Sequence, residues 1–196
     1  MKYSLILLSL LFLSFTISSD KVEDTLGVKG PLKFNNIDFN LAWTDKPTEN
    51  YYIQEYLPDG EKVESFNQML TIHLFDTDIN TKEAVQQKVK DLTKRKKTDP
   101  VCNYVMTESP DGKEFMVDFL LGESKCDKMT IVEFNVYRYK QVELGANKKG
   151  ILVYAFSKRS YGDDITPFFK TLRSDRTGYL NQMISAEIPL VAVDGK

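Results

Sequence analysis

The stretch from residue 103 to residue 157 decides the fold: NYVMTESPDGKEFMVDFLLGESKCDKMTIVEFNVYRYKQVELGANKKGILVYAFS. Apolar and polar residues alternate through much of it, which is the period-two pattern of half-buried strands. Turn residues interrupt the alternation at Pro110-Asp111-Gly112, near Ser124 and near Gly145. The stretch therefore predicts a meander of antiparallel strands, each joined to the next by a short loop.

The positions of these turns predict an approximate register, because paired residues of a hairpin keep a constant sum of residue numbers. One predicted face is wholly apolar, and it collects Phe115, Val117, Phe119, Val132, Phe134, Val136, Val153 and Ala155. The other is mixed, and it collects Glu114, Met116, Asp118, Leu120, Ile131, Glu133, Asn135, Tyr137, Leu152, Tyr154 and Phe156. A mixed face suits partial cover by a helix. We therefore expect an α+β fold, an antiparallel β-sheet with helices on both faces (an α/β/α sandwich).

The N-terminal residues 1–19 have the pattern of a secretory signal peptide. Lys2 supplies the positive start, Leu5 to Phe15 the apolar core, and Ser18 or Ser19 a small residue for cleavage. An uncleaved N-terminal anchor is the alternative. The prediction is a secreted or periplasmic protein with no membrane span after cleavage. Without this segment the chain has 25 basic and 28 acidic residues, a net charge of −3, which argues against a nucleic-acid partner.

The rest of the chain predicts one domain. We expect a flexible lead-in at residues 20–30, a single α/β/α domain at 31–189 and a tail at 190–196. Strands are predicted within 32–43, 51–57 and 69–75, with a helical turn at 63–66. A helix is predicted over 81–97, because Asn80 and Glu83 have the spacing of a capping box. A closing helix is predicted from Thr166 to about Ser185, with Phe168 and Leu172 on its apolar stripe.

This order of elements resembles the PsbP-like family, whose fold is an α/β/α sandwich. The local resemblance lies in Tyr56-Leu57-Pro58 and in Val63-Glu64-Ser65-Phe66-Asn67, which lead into the strand from Met69 to Phe75. Members of that family are mostly small accessory or adaptor proteins, so the resemblance implies a protein without catalytic activity. No binding residue carries over, because no binding motif of the family is matched.

The common catalytic and cofactor motifs are absent from the sequence. It has no Gly-rich nucleotide loop, no Gly-x-Ser-x-Gly and no Cys-x-x-Cys. His73 is the only histidine, which excludes a site with several histidine ligands. Asp76-x-Asp78-x-Asn80 begins like a calcium loop, but Thr81 stands where the loop needs glycine and Gln87 where it needs glutamate. We therefore expect no catalytic residue, no metal and no cofactor.

Cys102 and Cys126 are the only cysteines, and in an exported protein they form a possible disulfide. The predicted register places them at the same end of the sheet with a strand between them. Two strand spacings are about 10 Å, which exceeds the usual Cα separation of a disulfide. Both the bonded and the free state stay open at this point.

The function expected from the sequence is binding, to an unknown protein or small molecule of the cell envelope. The candidate contact residues are Glu133, Asn135, Tyr137 and Tyr154, on the mixed face, where tyrosines, a carboxylate and an amide suit recognition of a polar and aromatic partner. One alternative is a carrier of a small apolar ligand lodged between sheet and helix. The other is a hydrolase that uses His73 and nearby carboxylates.

Overall fold

The protein is described by a computed structural model, which covers residues 22–28, 30–145 and 148–193. The predicted signal peptide, residues 1–19, lies outside these described residues, and so do residues 194–196 of the predicted tail. Export therefore stays a prediction. Within the described part, no helix is both long enough and apolar enough to cross a membrane.

A single antiparallel sheet of eight strands dominates the molecule and curls into a half-barrel. Its spatial order is β1-β2-β3-β4-β8-β7-β6-β5, so the predicted meander forms one half of the sheet and β8 joins it to β4. The strands are β1 (Leu32–Phe34), β2 (Ile37–Thr48), β3 (Tyr51–Leu57), β4 (Gln68–Asp76), β5 (Asn103–Glu108), β6 (Glu114–Lys125), β7 (Lys128–Gly145) and β8 (Lys148–Tyr161).

Two α-helices pack on the sheet: α1 (Thr81–Arg95) and α2 (Ile165–Ser185). Short 3-10 turns occupy Val63–Ser65 and Gly162–Asp164. The predicted capping box is confirmed, since the Asn80 side chain accepts from the Glu83 backbone N–H while the Glu83 carboxylate accepts from the Asn80 backbone N–H. The cap fixes where α1 begins, directly after β4 and at the end of the sheet where that strand stops.

The helices pack against different clusters of sheet residues. Val85 and Leu92 of α1 share a cluster with Phe115, Val117 and Phe119 of β6. Phe168, Leu172 and Met183 of α2 belong to a larger cluster. Its sheet members are alternate residues of the central strands: Leu70, Ile72, Val132, Phe134, Val136 and Phe156. The larger of these two clusters therefore lies on the face of the sheet that α2 covers.

The predicted α/β/α sandwich is wrong. The molecule is mostly one curled sheet with only two α-helices, not a sheet enclosed by helices on both faces. The main contacts of α1 are with β5, β6 and β7, and those of α2 are with β7 and β8. Two helices are too few to cover an eight-stranded sheet, so part of it is left beside α1 without a helix above it.

The predicted composition of the faces is also wrong, because two irregularities change the register. The β6–β7 pairing shifts by one residue between Glu123 and Ser124. Lys125 pairs with Lys128 beside the turn, but beyond the shift Phe119 pairs with Asn135 and not with Phe134. A second shift lies between Glu143 and Gly145 in the β7–β8 pairing. A bulge adds one residue to one strand, and a slip of one residue turns every later side chain to the opposite face.

The segments expected to be a flexible lead-in and a loose tail both contact the sheet. Leu26 and Val28 are buried, and the carboxamide oxygen of Gln54 accepts from the backbone N–H groups of Thr25 and Leu26. The backbone N–H of Ala192 donates to the Leu26 carbonyl over 2.8 Å. Leu26 and Val28 therefore belong to the main core cluster, and Val191 and Val193 pack against it.

Candidate functional site

A cleft of about 570 Å³ opens between α1 and the part of the sheet that α1 leaves uncovered. We call it the α1 cleft. Strands β3 and β4 provide one wall, with Tyr51, His73 and Phe75. Helix α1 provides the other wall, with Ala84, Gln87, Lys88 and Asp91, and strands β7 and β8 form the floor, with Tyr137, Tyr139, Ile151 and Val153. It is an open groove lined by aromatic rings and a few polar groups, as ligand sites commonly are.

His73 lies on the β4 wall of this cleft. It alternates with Ile72 and Leu74 along β4, and those two neighbours point into the core on the other side of the sheet. Its Nδ1 lies 2.8 Å from the Tyr51 hydroxyl, whereas its Nε2 is buried and has no hydrogen-bond partner among the described residues. Burial, with a smaller contribution from the charge of Lys88, lowers the pKa of His73 to about 4. The imidazole is therefore neutral at pH 7.

Flat aromatic surfaces surround the imidazole. Tyr51 stacks on Phe75 with ring centroids 4.5 Å apart, and Tyr137 lies 5.8 Å from the His73 ring. Tyr137 also meets Phe119 edge to face at 5.0 Å. Burial, followed by the nearby carboxylate of Glu133, raises the pKa of Tyr137. Both tyrosines are therefore neutral, and their rings offer apolar surface while their hydroxyls offer hydrogen bonds.

Lys88 places a cation on the helical wall of the cleft. Its Nζ lies 4.6 Å from the ring centroid of Phe119 and 4.8 Å from that of Tyr137, which are cation–π distances. Burial lowers its pKa, against the opposing effect of the Asp91 and Glu133 carboxylates. The ammonium is thus partly desolvated, and the cation–π contacts with the two rings offset part of that cost.

Two further buried polar atoms on the same face lack partners in the described part of the chain, Oε2 of Glu55 and Nδ2 of Asn135. Both residues share this face with His73 by the alternation of the paired strands. The other end of the Asn135 amide is satisfied, because its Oδ1 accepts from the Ser157 hydroxyl over 2.7 Å. Burial raises the pKa of Glu55 despite the charge of Arg159 nearby. This face is therefore rich in polar groups that have unused bonding capacity.

The structure separates the four predicted contact residues. Glu133, Asn135 and Tyr137 share the face of the α1 cleft, but only Tyr137 lines it. Tyr154 lies on the opposite face, where it is 2% exposed and part of the α2 core. Asn135 is 1% exposed, and Glu133 is paired with Arg159. The four therefore do not form one open surface, because the bulges invert the faces on which the prediction was based.

Sequence reasoning missed Tyr51 and Lys88, the two residues that frame His73. Nothing local marks either of them, since Tyr51 sits in an ordinary strand and Lys88 follows the polar pattern of an amphipathic helix. They meet His73 only through strand pairing and helix packing. The alternation of β4 did place His73 on the side opposite Ile72 and Leu74, but alternation cannot show what lies above that face.

The hydrolase hypothesis needs a nucleophile and an orienting carboxylate at His73. The hydrogen bond that the described residues make to this imidazole comes from the Tyr51 phenol. No carboxylate, serine or cysteine of the described residues hydrogen-bonds to it. The described contacts of His73 therefore do not include the partners that the hydrolase hypothesis needs.

The residues that resemble the start of a calcium loop are used otherwise. Asp76 forms an ion pair with Lys148, 3.3 Å between Nζ and Oδ2, and Asn80 caps α1. In residues 22–28, 30–145 and 148–193 no group of three or more histidine, cysteine, aspartate or glutamate side chains is gathered as a metal site.

Cys102 and Cys126 are free thiols in the structure, so the possible disulfide is not formed. Cys102 is buried beneath α1 and donates its S–H to the Leu92 carbonyl over 3.6 Å. Cys126 is exposed at the β6–β7 turn, where it and Asp127 both have positive φ. This tight turn keeps Cys126 at the tip of its hairpin, away from the buried position of Cys102.

A protein-family model matches residues 26–188, so the chain belongs to that family, for which no function is assigned. The match begins at Leu26 and ends at Ile188, and it therefore takes in every strand and both helices. No curated protein and no solved structure matches the chain. The PsbP-like resemblance is wrong, because the family match is a different one and the molecule is mostly sheet with two helices.

Proposed function

We propose that this family member is a non-catalytic binding protein whose α1 cleft holds a small ligand with a flat apolar part. The aromatic walls and the groove between sheet and helix support this reading. The polar and aromatic partner surface expected from the sequence is not assembled in the structure, whereas a ligand lodged between sheet and helix has a groove of suitable chemistry.

The observation that carries the proposal is the unused Nε2 of His73. It is buried, it has no hydrogen-bond partner among the described residues, and its ring lines the cleft. Leaving a buried polar nitrogen unpaired costs about 1–3 kcal/mol in a typical protein. A ligand that bonds to this nitrogen recovers that free energy and gains contact with Tyr51, Phe75 and Tyr137 at the same time.

A bulky residue at the mouth of the cleft tests the proposal. Gln87 is exposed and lines the cleft, whereas its neighbour Gln86 is exposed on α1 but does not line it. With the neutral fluorescent probe N-phenyl-1-naphthylamine, we expect saturable binding to the wild type. Gln87→Trp should weaken this binding at least about tenfold, which corresponds to 1.4 kcal/mol.

Gln86→Trp is the matched control, because it adds the same side chain one position away. Its probe affinity should equal that of the wild type, and both variants should unfold at the wild-type urea midpoint. Equal probe affinity in all three proteins would place binding outside the cleft and refute the proposal. An absence of binding to the wild type would refute it as well.

A further inference from the structure

We propose that the natural ligand of the α1 cleft is a small aromatic carboxylate, with its charged group held between Lys88 and His73. This inference rests on the proposed function, and it adds the charge and the chemical class of the ligand.

The first argument is that no carboxylate of the described residues pairs with the Lys88 ammonium. No carboxylate of the described residues lies within ion-pair distance, 4 Å, of its ammonium group, which instead faces the rings of Phe119 and Tyr137. Buried charges in proteins are normally paired, because desolvation is costly. The aromatic faces offset part of that cost, and an anion entering the cleft would supply the missing counter-charge.

The second argument is the tautomer that Tyr51 favours at His73. When the Tyr51 hydroxyl donates to Nδ1, the single proton of the neutral imidazole resides on Nε2. The buried Nε2 is then a hydrogen-bond donor that lacks an acceptor. Lys88 and His73 line the same cleft and share the Tyr137 ring as a neighbour, with its centroid 4.8 Å from the Lys88 Nζ and 5.8 Å from the centroid of the His73 ring. Both groups therefore lie beside one aromatic ring of the cleft, a setting that suits an aromatic carboxylate.

Two acidic residues, Asp76 and Asp91, also line the cleft. Asp76 is paired with Lys148, and Asp91 is exposed on α1. The charge of Asp76 is therefore balanced by a lysine, and Asp91 is open to solvent, so neither carboxylate forms an ion pair with Lys88.

The third argument concerns the body of the ligand. Tyr51, Phe75 and Tyr137 present ring faces or edges next to the two donors. Aromatic groups stack on such surfaces in offset or edge-to-face arrangements. A planar ring that bears a carboxylate satisfies the aromatic walls and the donors together, which an aliphatic anion or a neutral aromatic molecule does only in part.

A pair of probes that differ only in charge tests this inference. We would measure the affinities of 2-naphthoate and of 2-naphthamide for the wild type by isothermal titration calorimetry at pH 7. The carboxylate should bind about tenfold more tightly, since hydrogen bonds to charged groups are stronger than neutral ones. Lys88→Met keeps the aliphatic stem but removes the charge, so it should abolish this preference by weakening 2-naphthoate more than 2-naphthamide.

Lys90→Met is the matched control, because Lys90 is exposed on α1 and does not line the cleft. It should keep the full preference for 2-naphthoate. Equal affinities of the two probes for the wild type, each blocked by Gln87→Trp, would refute the anion inference and leave the proposed function intact. A preference that survives Lys88→Met would also refute it. Binding of neither probe would refute both the inference and the proposed function.

Discussion

At the scale of single residues, the neutral state of His73 is the feature with the clearest physical consequence. Its ring is held on one side by the Tyr51 hydroxyl and has a cationic neighbour, Lys88. Protonation would place a second positive charge in a partly desolvated cleft. The folded protein therefore resists protonation of this imidazole, while the unfolded chain accepts a proton near the ordinary histidine pKa of about 6.5.

This difference predicts a loss of stability in mild acid. The folded pKa of His73 is lowered to about 4, so between pH 6.5 and pH 4 the unfolded state binds more protons than the folded state. Stability contributed by the neutral imidazole is therefore present above pH 6.5 and lost as the pH falls towards 4. The expected loss from this group between pH 7 and pH 5 is about 2 kcal/mol, measured by urea unfolding.

His73→Gln provides the comparison, because glutamine does not titrate in this range. Burial raises the pKa of Glu55, so this group makes the protein more stable as the pH falls, opposite to His73. Because Glu55 is present in both proteins, the difference between their pH dependences gives the contribution of His73. The variant should lose less stability than the wild type between pH 7 and pH 5. Parallel curves for the two proteins would show that His73 does not titrate as argued.

At the scale of elements, helix α2 packs its apolar stripe on the central strands. Leu172 is 7% exposed and belongs to the larger core cluster, whereas Ile184 on the same helix is 57% exposed. Leu172→Ala should lower the free energy of unfolding by about 2–5 kcal/mol, because it removes buried methyl groups and leaves a cavity. Chemical denaturation followed by circular dichroism measures this change.

Ile184→Ala is the control for the helix itself. It makes a similar reduction in side-chain size at an exposed position, so its effect should stay within about 0.5 kcal/mol. If Leu172→Ala were as mild as Ile184→Ala, the stripe of α2 that contains Leu172 would not be packed on the sheet.

The elements were predictable from the sequence because their signals are local. Alternation marked the four strands of the meander, and Asn80 with Glu83 marked the start of α1. The faces were not predictable, because face assignment depends on counting residues through each hairpin. The shifts at Glu123/Ser124 and Glu143/Gly145 each add one residue to the count. No turn residue marks the first of them, and its effect was to move Val132, Phe134 and Val136 away from Phe119.

At the scale of the whole molecule, the candidate site could not be predicted because distant segments build it. Tyr51 comes from β3, His73 from β4, Lys88 from α1 and Tyr137 from β7. Their meeting depends on β8 pairing with β4, which joins the meander to the first half of the sheet. The sequence did single out His73 and Tyr137, and it left a ligand between sheet and helix as an alternative, but it did not indicate which residues meet at such a site.

The cleft follows from the positions of the two helices on the sheet. Helix α2 fills the face that carries Phe134 and Phe156, while α1 is anchored over Phe115, Val117 and Phe119 and leaves His73 beside it. A third helix over β3 and β4 would close the groove. One side of the half-barrel is thus packed against α2, and the other side carries the open α1 cleft.

The most direct test of ligand binding in this cleft uses the fact that His73 is the only histidine. Its imidazole signals in a long-range proton–nitrogen NMR spectrum of the tag-free protein need no assignment. Titration with 2-naphthoate should shift the Nε2 signal saturably, with a midpoint equal to the calorimetric dissociation constant. Saturating 2-naphthoate that leaves both imidazole nitrogen signals unmoved would contradict binding at His73.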